Sequence, residues 1–246
     1  MHIFVASSGR CGTKYLSEVF NALTDVPAFH EPLPYFTSEV LEDINDADAL
    51  PVRAQKQLAE KVSLVRLRTK NGFYMESNQQ FIKAYAKTVL NNFDDVGCIY
   101  LWRNPIDVAV SYAGKCRNFE NDWFLQPHWK QNILRSTHPM SFYEAIIWQW
   151  YEVRERYYKL KPKFKKTFEL PFTELNSLIT LCKMFKHFGI EVNKNANLDS
   201  LEKNENIALG LVPIDHMLAN MRDNWTRPGR RRFTYDLQEI PLGGGQ

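Results

Sequence analysis

Cysteine is scarce in this chain, and the four that occur, Cys11, Cys98, Cys116 and Cys182, stand apart with no CxxC pair. That spacing excludes a disulfide framework or a cysteine zinc site and fits reduced thiols. Long apolar runs are missing too: none approaches the roughly 20 residues that span a bilayer. The first residues lack the basic and apolar regions of a secretory signal, so a cytoplasmic location is expected. Charge of one sign is nearly absent, 31 Lys and Arg against 28 Asp and Glu giving a net +3, too little to imply a nucleic-acid partner. Neither repeats nor Pro/Gly/Ser linkers divide the 246 residues. One domain over residues 1–241 is therefore expected, with a flexible tail at 242–246. The six histidines show no metal-ligand spacing, and no metal is expected. What is present is apolar material, 44% hydrophobic and 13% aromatic, enough for a single full core.

Ile3 to Ala6 form a continuous apolar run that breaks into Ser7-Ser8-Gly9-Arg10-Cys11-Gly12-Thr13. Beyond it Tyr15, Leu16, Val19, Phe20 and Leu23 recur at helical spacing, so the order is strand, glycine loop, helix. The same grammar returns at Gly97 to Trp102, followed by Arg103 and Asn104-Pro105-Ile106-Asp107. Asn104 suits an N-cap, Pro105 a first helical position and Asp107 the positive end of a helix dipole. Between these units the pattern predicts a helix over 52–69, a strand over 73–77 and a helix over 78–91. Ser141 and Glu144 form a capping-box pair opening a helix that runs to Pro162. A strand over 166–170 and a helix over 175–188, ended by Gly189, follow. Strands alternating with helices predict an α/β fold of three layers, α/β/α, around a central parallel sheet.

A short glycine loop between a buried strand and a helix offers free N–H groups and the positive end of a dipole, which suits a phosphate-like anion. Arg10 and Lys14 add positive charge there. The pattern GxxxxGK[ST] is absent, since Lys14 comes two residues after Gly12 and precedes Tyr15, which disfavours an ordinary ATPase or GTPase. By themselves Gly9 and Gly12 could equally serve a plain tight turn. A second element adds to them: Arg103 falls at the carboxyl end of a parallel strand, the edge where open α/β sheets bind ligands, and Ser111 two turns into the next helix.

Together, Gly9 through Tyr15 and Arg103 through Ser111 resemble the two cofactor motifs of the sulfotransferases that use 3′-phosphoadenosine 5′-phosphosulfate (PAPS). The first is similar to that family's Pro-Lys-Ser-Gly-Thr-Thr-Trp loop. The second matches its Arg-Asn-Pro-x-Asp-Val-Ala-Val-Ser segment nearly residue for residue. Phe168 through Leu175 looks like the family's Tyr-Glu-Asp-Leu segment. The resemblance implies a P-loop NTPase-like sulfotransferase fold and transfer of sulfuryl from PAPS to a hydroxyl acceptor, leaving adenosine 3′,5′-bisphosphate (PAP). It also implies that the backbone of Cys11, Gly12 and Thr13 and the side chains of Arg10, Thr13 and Lys14 face the 5′-phosphosulfate. Tyr15 would stack near adenine, and Arg103 and Ser111 would hold the 3′-phosphate. The chain departs from the pattern at Arg10, where Lys is frequent, at Cys11, where Ser is, and at Lys14, where Ser or Thr is. Arg227-Pro228-Gly229-Arg230-Arg231-Arg232 reads on composition as a solvated basic loop. It loosely resembles the family's C-terminal Arg-Lys-Gly loop, which implies Arg227, Gly229 and Arg230 at the 3′-phosphate.

Sulfuryl transfer needs an acceptor hydroxyl deprotonated as it attacks sulfur, and cations to neutralise charge on the leaving phosphate. Glu31, in Phe29-His30-Glu31-Pro32 after the first helix, is the expected base. Its position resembles that of the glutamate base in Golgi heparan sulfotransferases and some bacterial carbohydrate sulfotransferases. His30 is the first alternative base and Glu76 the second. Asn78 falls where cytosolic members carry a histidine. Glu76 and Asn78, ending a predicted strand, are candidate acceptor residues, as are Trp123 and Trp129, whose faces would stack on a sugar. A small-molecule or carbohydrate acceptor is expected. Two rivals stand beside this reading: a P-loop kinase using ATP, and a nucleotide-binding module without catalysis.

Overall fold

A computed structural model describes residues 1–36, 40–41, 44, 50–113, 135–136, 142–193 and 225–226. Strands β1 (His2–Ala6), β2 (Ala28–His30), β3 (Tyr74–Ser77), β4 (Val96–Trp102) and β5 (Lys166–Pro171) form one sheet in the order β2-β3-β1-β4-β5. Every pairing in it is parallel. The intervening helices are α1 (Thr13–Leu23), α2 (Val52–Arg68), α3 (Ala86–Asn92), α4 (Pro105–Ala113), α5 (Phe142–Leu160) and α6 (Leu178–Phe188). Arg135–Ser136 and Trp225–Thr226 make a separate antiparallel pair.

Period-two alternation along β1 explains the layers. Ile3 and Val5 join Leu16, Val19 and Phe20 of α1 and Met184, Phe185 and Phe188 of α6 in one buried cluster. Phe4 and Ala6 join Leu58 and Val65 of α2, Val89 of α3 and Val153 and Tyr157 of α5 in the other. The predicted α/β/α sandwich with a parallel sheet is what the chain forms. No helix among the described residues is long and apolar enough to cross a membrane.

Local chemistry moved three boundaries. The segment after α1, for which the sequence pattern predicts no element, contains β2, too short for a periodicity to register. It exists because it pairs with β3 and because the Asn21 amide donates to the Ala28 carbonyl (2.9 Å) and accepts from its N–H (3.1 Å). The helix predicted from residue 78 starts later. Asn78 Oδ1 accepts from the Gln80 N–H at 2.9 Å, and Phe81–Tyr85 form a π-helical turn before α3. Likewise α6 begins at Leu178, where Ser177 Oγ caps the Thr180 N–H.

With β1 central, the chain builds β2 and β3 on one side and then crosses to β4 and β5 on the other. The carboxyl ends of β1 and β4 therefore flank a topological switch point, where open α/β sheets hold ligands.

Candidate active site

The loop leaving β1 takes a shape that L side chains resist: Gly9, Arg10 and Gly12 have φ of 89°, 55° and 84°. Gly9 also lies under α4. A Cβ there would sit 2.2 Å from the Tyr112 hydroxyl, which donates to the Ser8 carbonyl at 3.1 Å. Gly9→Ala is expected to destabilise the chain by about 1–3 kcal/mol through overpacking and backbone strain, read as a lower urea midpoint. Tyr112→Phe in the same chain should recover part of that loss. Gly12 occupies the N-cap of α1 without a side-chain cap, and its carbonyl accepts from the Leu16 N–H at 2.9 Å. The helix's positive end therefore faces the loop.

Cys11 is fully buried, its thiol donating to the Gly9 carbonyl at 3.1 Å, and burial pushes that thiol above its ordinary range. Its side chain thus staples the loop from inside. Thr13 is buried at the first helical position, and Lys14 is exposed, 3.5 Å from Glu18 Oε1. Tyr15 is partly buried against the core of its face.

Arg10 and Ser111 are a hundred residues apart in sequence, yet Arg10 Nε donates to Ser111 Oγ at 3.1 Å. The two motifs meet at the switch point. Arg103 follows β4, its carbonyl accepting from Trp150 Nε1 at 2.7 Å and its guanidinium 4.4 Å from the Phe172 ring. Its Nε is buried with no hydrogen-bond partner among the described residues, Asp107 Oδ2 lying 3.8 Å away. A cavity of about 440 Å³ opens beside it, lined by Trp102, Arg103, Trp150, Arg154, Tyr158 and Phe172 among others.

Glu31 lies across β3 and β1 from Arg103, just past the end of β2, with φ of 44°. Its N–H donates to the Ser77 carbonyl at 2.9 Å, and the neighbouring His30 Nδ1 lies 3.0 Å from Ser77 Oγ. Burial holds His30 below its ordinary range and favours a neutral ring; the Glu31 carboxylate opposes that shift and the Lys14 ammonium adds to it. Glu31, His30 and Lys14 therefore share one electrostatic neighbourhood. The same carboxylate acts on Lys83, whose ammonium burial drives far below the usual lysine range.

Glu76 and Asn78 face inward. Glu76 is fully buried and accepts from Lys61 Nζ (2.8 Å), Tyr74 Oη (2.6 Å), Asn78 Nδ2 (3.1 Å) and Tyr85 Oη (2.5 Å). Oε1 takes three of these donors and Oε2 one, and Asn78 is itself 1% exposed, so both side chains are committed within the core. Trp123, Trp129, Arg227, Gly229 and Arg230 lie outside the described residues, as do Ser141 and the tail at 242–246. Sequence reasoning missed Tyr112, Phe172 and Lys61. Lys61 left a signal: it stands in the stripe Ala54, Leu58, Val62, Val65 that α2 buries, where a lysine needs a buried partner.

A glycine loop ahead of a helix N-terminus at the switch point of a parallel sheet, with Arg10 and Arg103 following β1 and β4, defines an α/β protein with a basic sheet edge. The chain belongs to the sulfotransferase family: the family model for the sulfotransferase domain matches residues 1–168. Among solved structures it is similar to the sulfotransferase domain from the Synechococcus PCC 7002 olefin synthase. That similarity is at 13% identity and a TM-score of 0.46, covering 78% of this chain and 74% of that one. None of the curated protein sequences matches it.

Proposed function

We propose that the chain moves a sulfuryl group from PAPS to a hydroxyl of a carbohydrate-class acceptor, with Glu31 as general base. The observation that carries this reading is the Arg10 Nε to Ser111 Oγ contact, which puts the two cofactor motifs within one bond of each other. The residues present fit such a donor. The uncapped end of α1 and Arg10 suit the 5′ anion, and the buried Nε of Arg103, with no hydrogen-bond partner among the described residues and Asp107 Oδ2 3.8 Å away, suits the 3′-phosphate. When bound, PAPS supplies the activated sulfuryl group. The chain's own part is positioning and electrostatics: Arg10 and Lys14 neutralise charge growing on the leaving phosphate, and Glu31 takes the acceptor's proton. His30, held neutral beside Glu31, stands next in line for the proton.

Calorimetry with PAP tests the donor assignment. Arg103→Ala and Ser111→Ala should each weaken PAP by about tenfold or more, about 1.4 kcal/mol, with arginine the larger. Unchanged affinity in both variants would remove the 3′-phosphate from this edge. Labelled PAPS offered to mono- and oligosaccharides, a phenol and an aliphatic alcohol tests the acceptor class. Magnesium-dependent ATP turnover with indifference to a 3′-phosphate would instead make the chain a kinase.

A further inference from the structure

We infer that Lys61 and Glu76 form a positioning pair for Glu31, fixing the backbone that carries its carboxylate; the inference rests on Glu31 being the base. Lys61 is 1% exposed and Glu76 fully buried, and their 2.8 Å ion pair crosses from α2 to β3. A lysine paired with a carboxylate in a dry core generally gains little over two apolar side chains of similar volume. This one makes a further bond that no apolar residue could make: Nζ donates to the Pro32 carbonyl at 3.1 Å.

Pro32 adjoins Glu31, whose left-handed φ of 44° is a conformation that L residues hold only when their surroundings impose it. Two pins impose it. On one side the Glu31 N–H donates to the carbonyl of Ser77, the residue after Glu76 in β3. On the other, Lys61 takes the Pro32 carbonyl. Farther along, Gln80 exchanges two hydrogen bonds with the Phe36 backbone, at 3.2 and 2.9 Å, and closes the segment. Glu76 supplies the counter-charge that keeps an ammonium in this place. Tyr85 and Asn78 donate to the same Oε1 as Lys61 and Tyr74 donates to Oε2, which holds in place the carboxylate that Lys61 faces. The Glu31 carboxylate is thereby aimed from a fixed backbone rather than a loose loop.

The test is the double substitution Lys61→Met with Glu76→Gln, which removes both charges together and leaves neither buried alone. Rates are read as PAP released from PAPS with water as the acceptor, beside calorimetric PAP affinity and hydrogen exchange of the Glu31 amide. The expected result is about a 10- to 100-fold slower release, PAP affinity within about twofold, and faster exchange at Glu31. Adding Glu31→Gln to the double variant should then cost less than about tenfold, against about 10²–10⁴ in the otherwise unchanged chain. Unaltered release, or a full Glu31→Gln penalty on top of the double variant, would reduce the pair to a structural one. If Glu31→Gln in the unchanged chain releases PAP at the normal rate, the base assignment itself fails and takes the inference with it. Should the double variant not fold, Lys61→Arg keeps the counter-charge for Glu76 while shifting the donor at Pro32. It should slow release with PAP affinity unchanged, and a normal rate there overturns the inference.

Discussion

Glu31→Gln should leave PAP binding intact and slow sulfuryl transfer by about 10²–10⁴, the range for loss of a general base. The amide keeps the size and hydrogen-bonding reach of the carboxylate but cannot accept the acceptor's proton. Donor affinity is insulated because Arg10 and Arg103 follow β1 and β4 and Ser111 lies in α4, whereas Glu31 follows the edge strand β2. The effect should therefore appear in kcat and not in the PAP dissociation constant. A rate within about threefold of normal would pass the role to His30, the nearest other group able to take a proton. In that event His30→Asn should carry the loss.

Lys61→Met alone should be among the most destabilising single substitutions in the chain, by about 3–5 kcal/mol. It strands the Glu76 carboxylate in a fully buried site with only hydroxyl and amide donors to offset its charge. The measurement is a urea unfolding curve at neutral pH. Its midpoint should fall sharply and recover in large part when Glu76→Gln is added, because the lone charge is then gone. Equal instability of the single and double variants would mean that Lys61 contributes through its packing rather than its charge.

Much of the sheet was legible because β1 and β4 are buried on both faces and read as unbroken apolar runs. The glycine loop and Asn104-Pro105 announced the helices that follow them. The two motifs are local in sequence, so Arg10, Gly12, Arg103 and Ser111 stood out as candidates without coordinates, and the fold brings Arg10 and Ser111 together. The acceptor side is different. The proposed surroundings of Glu31 are assembled from β2, α2 and β3 through single hydrogen bonds. A three-residue strand such as β2 carries no period to detect, and the pinning of Pro32 by Lys61 joins positions that share no motif. Glu76 and Asn78 stood out as candidate acceptor residues because they end a strand about where cytosolic members carry a histidine. The direction of a side chain is not written in that pattern, and β3 sends Glu76 toward α2.

Asn21 also covers main-chain groups at the edge of the described sheet. The Pro27 carbonyl accepts from the Met75 N–H, so the main-chain groups of Ala28 point away from β3, toward the open margin of the sheet. An open margin is a template for a stranger's strand. The Asn21 amide, with one donor and one acceptor, occupies both groups of Ala28 as a next strand would. A single side chain thus takes the hydrogen-bonding place of a neighbouring strand at this edge of the described sheet.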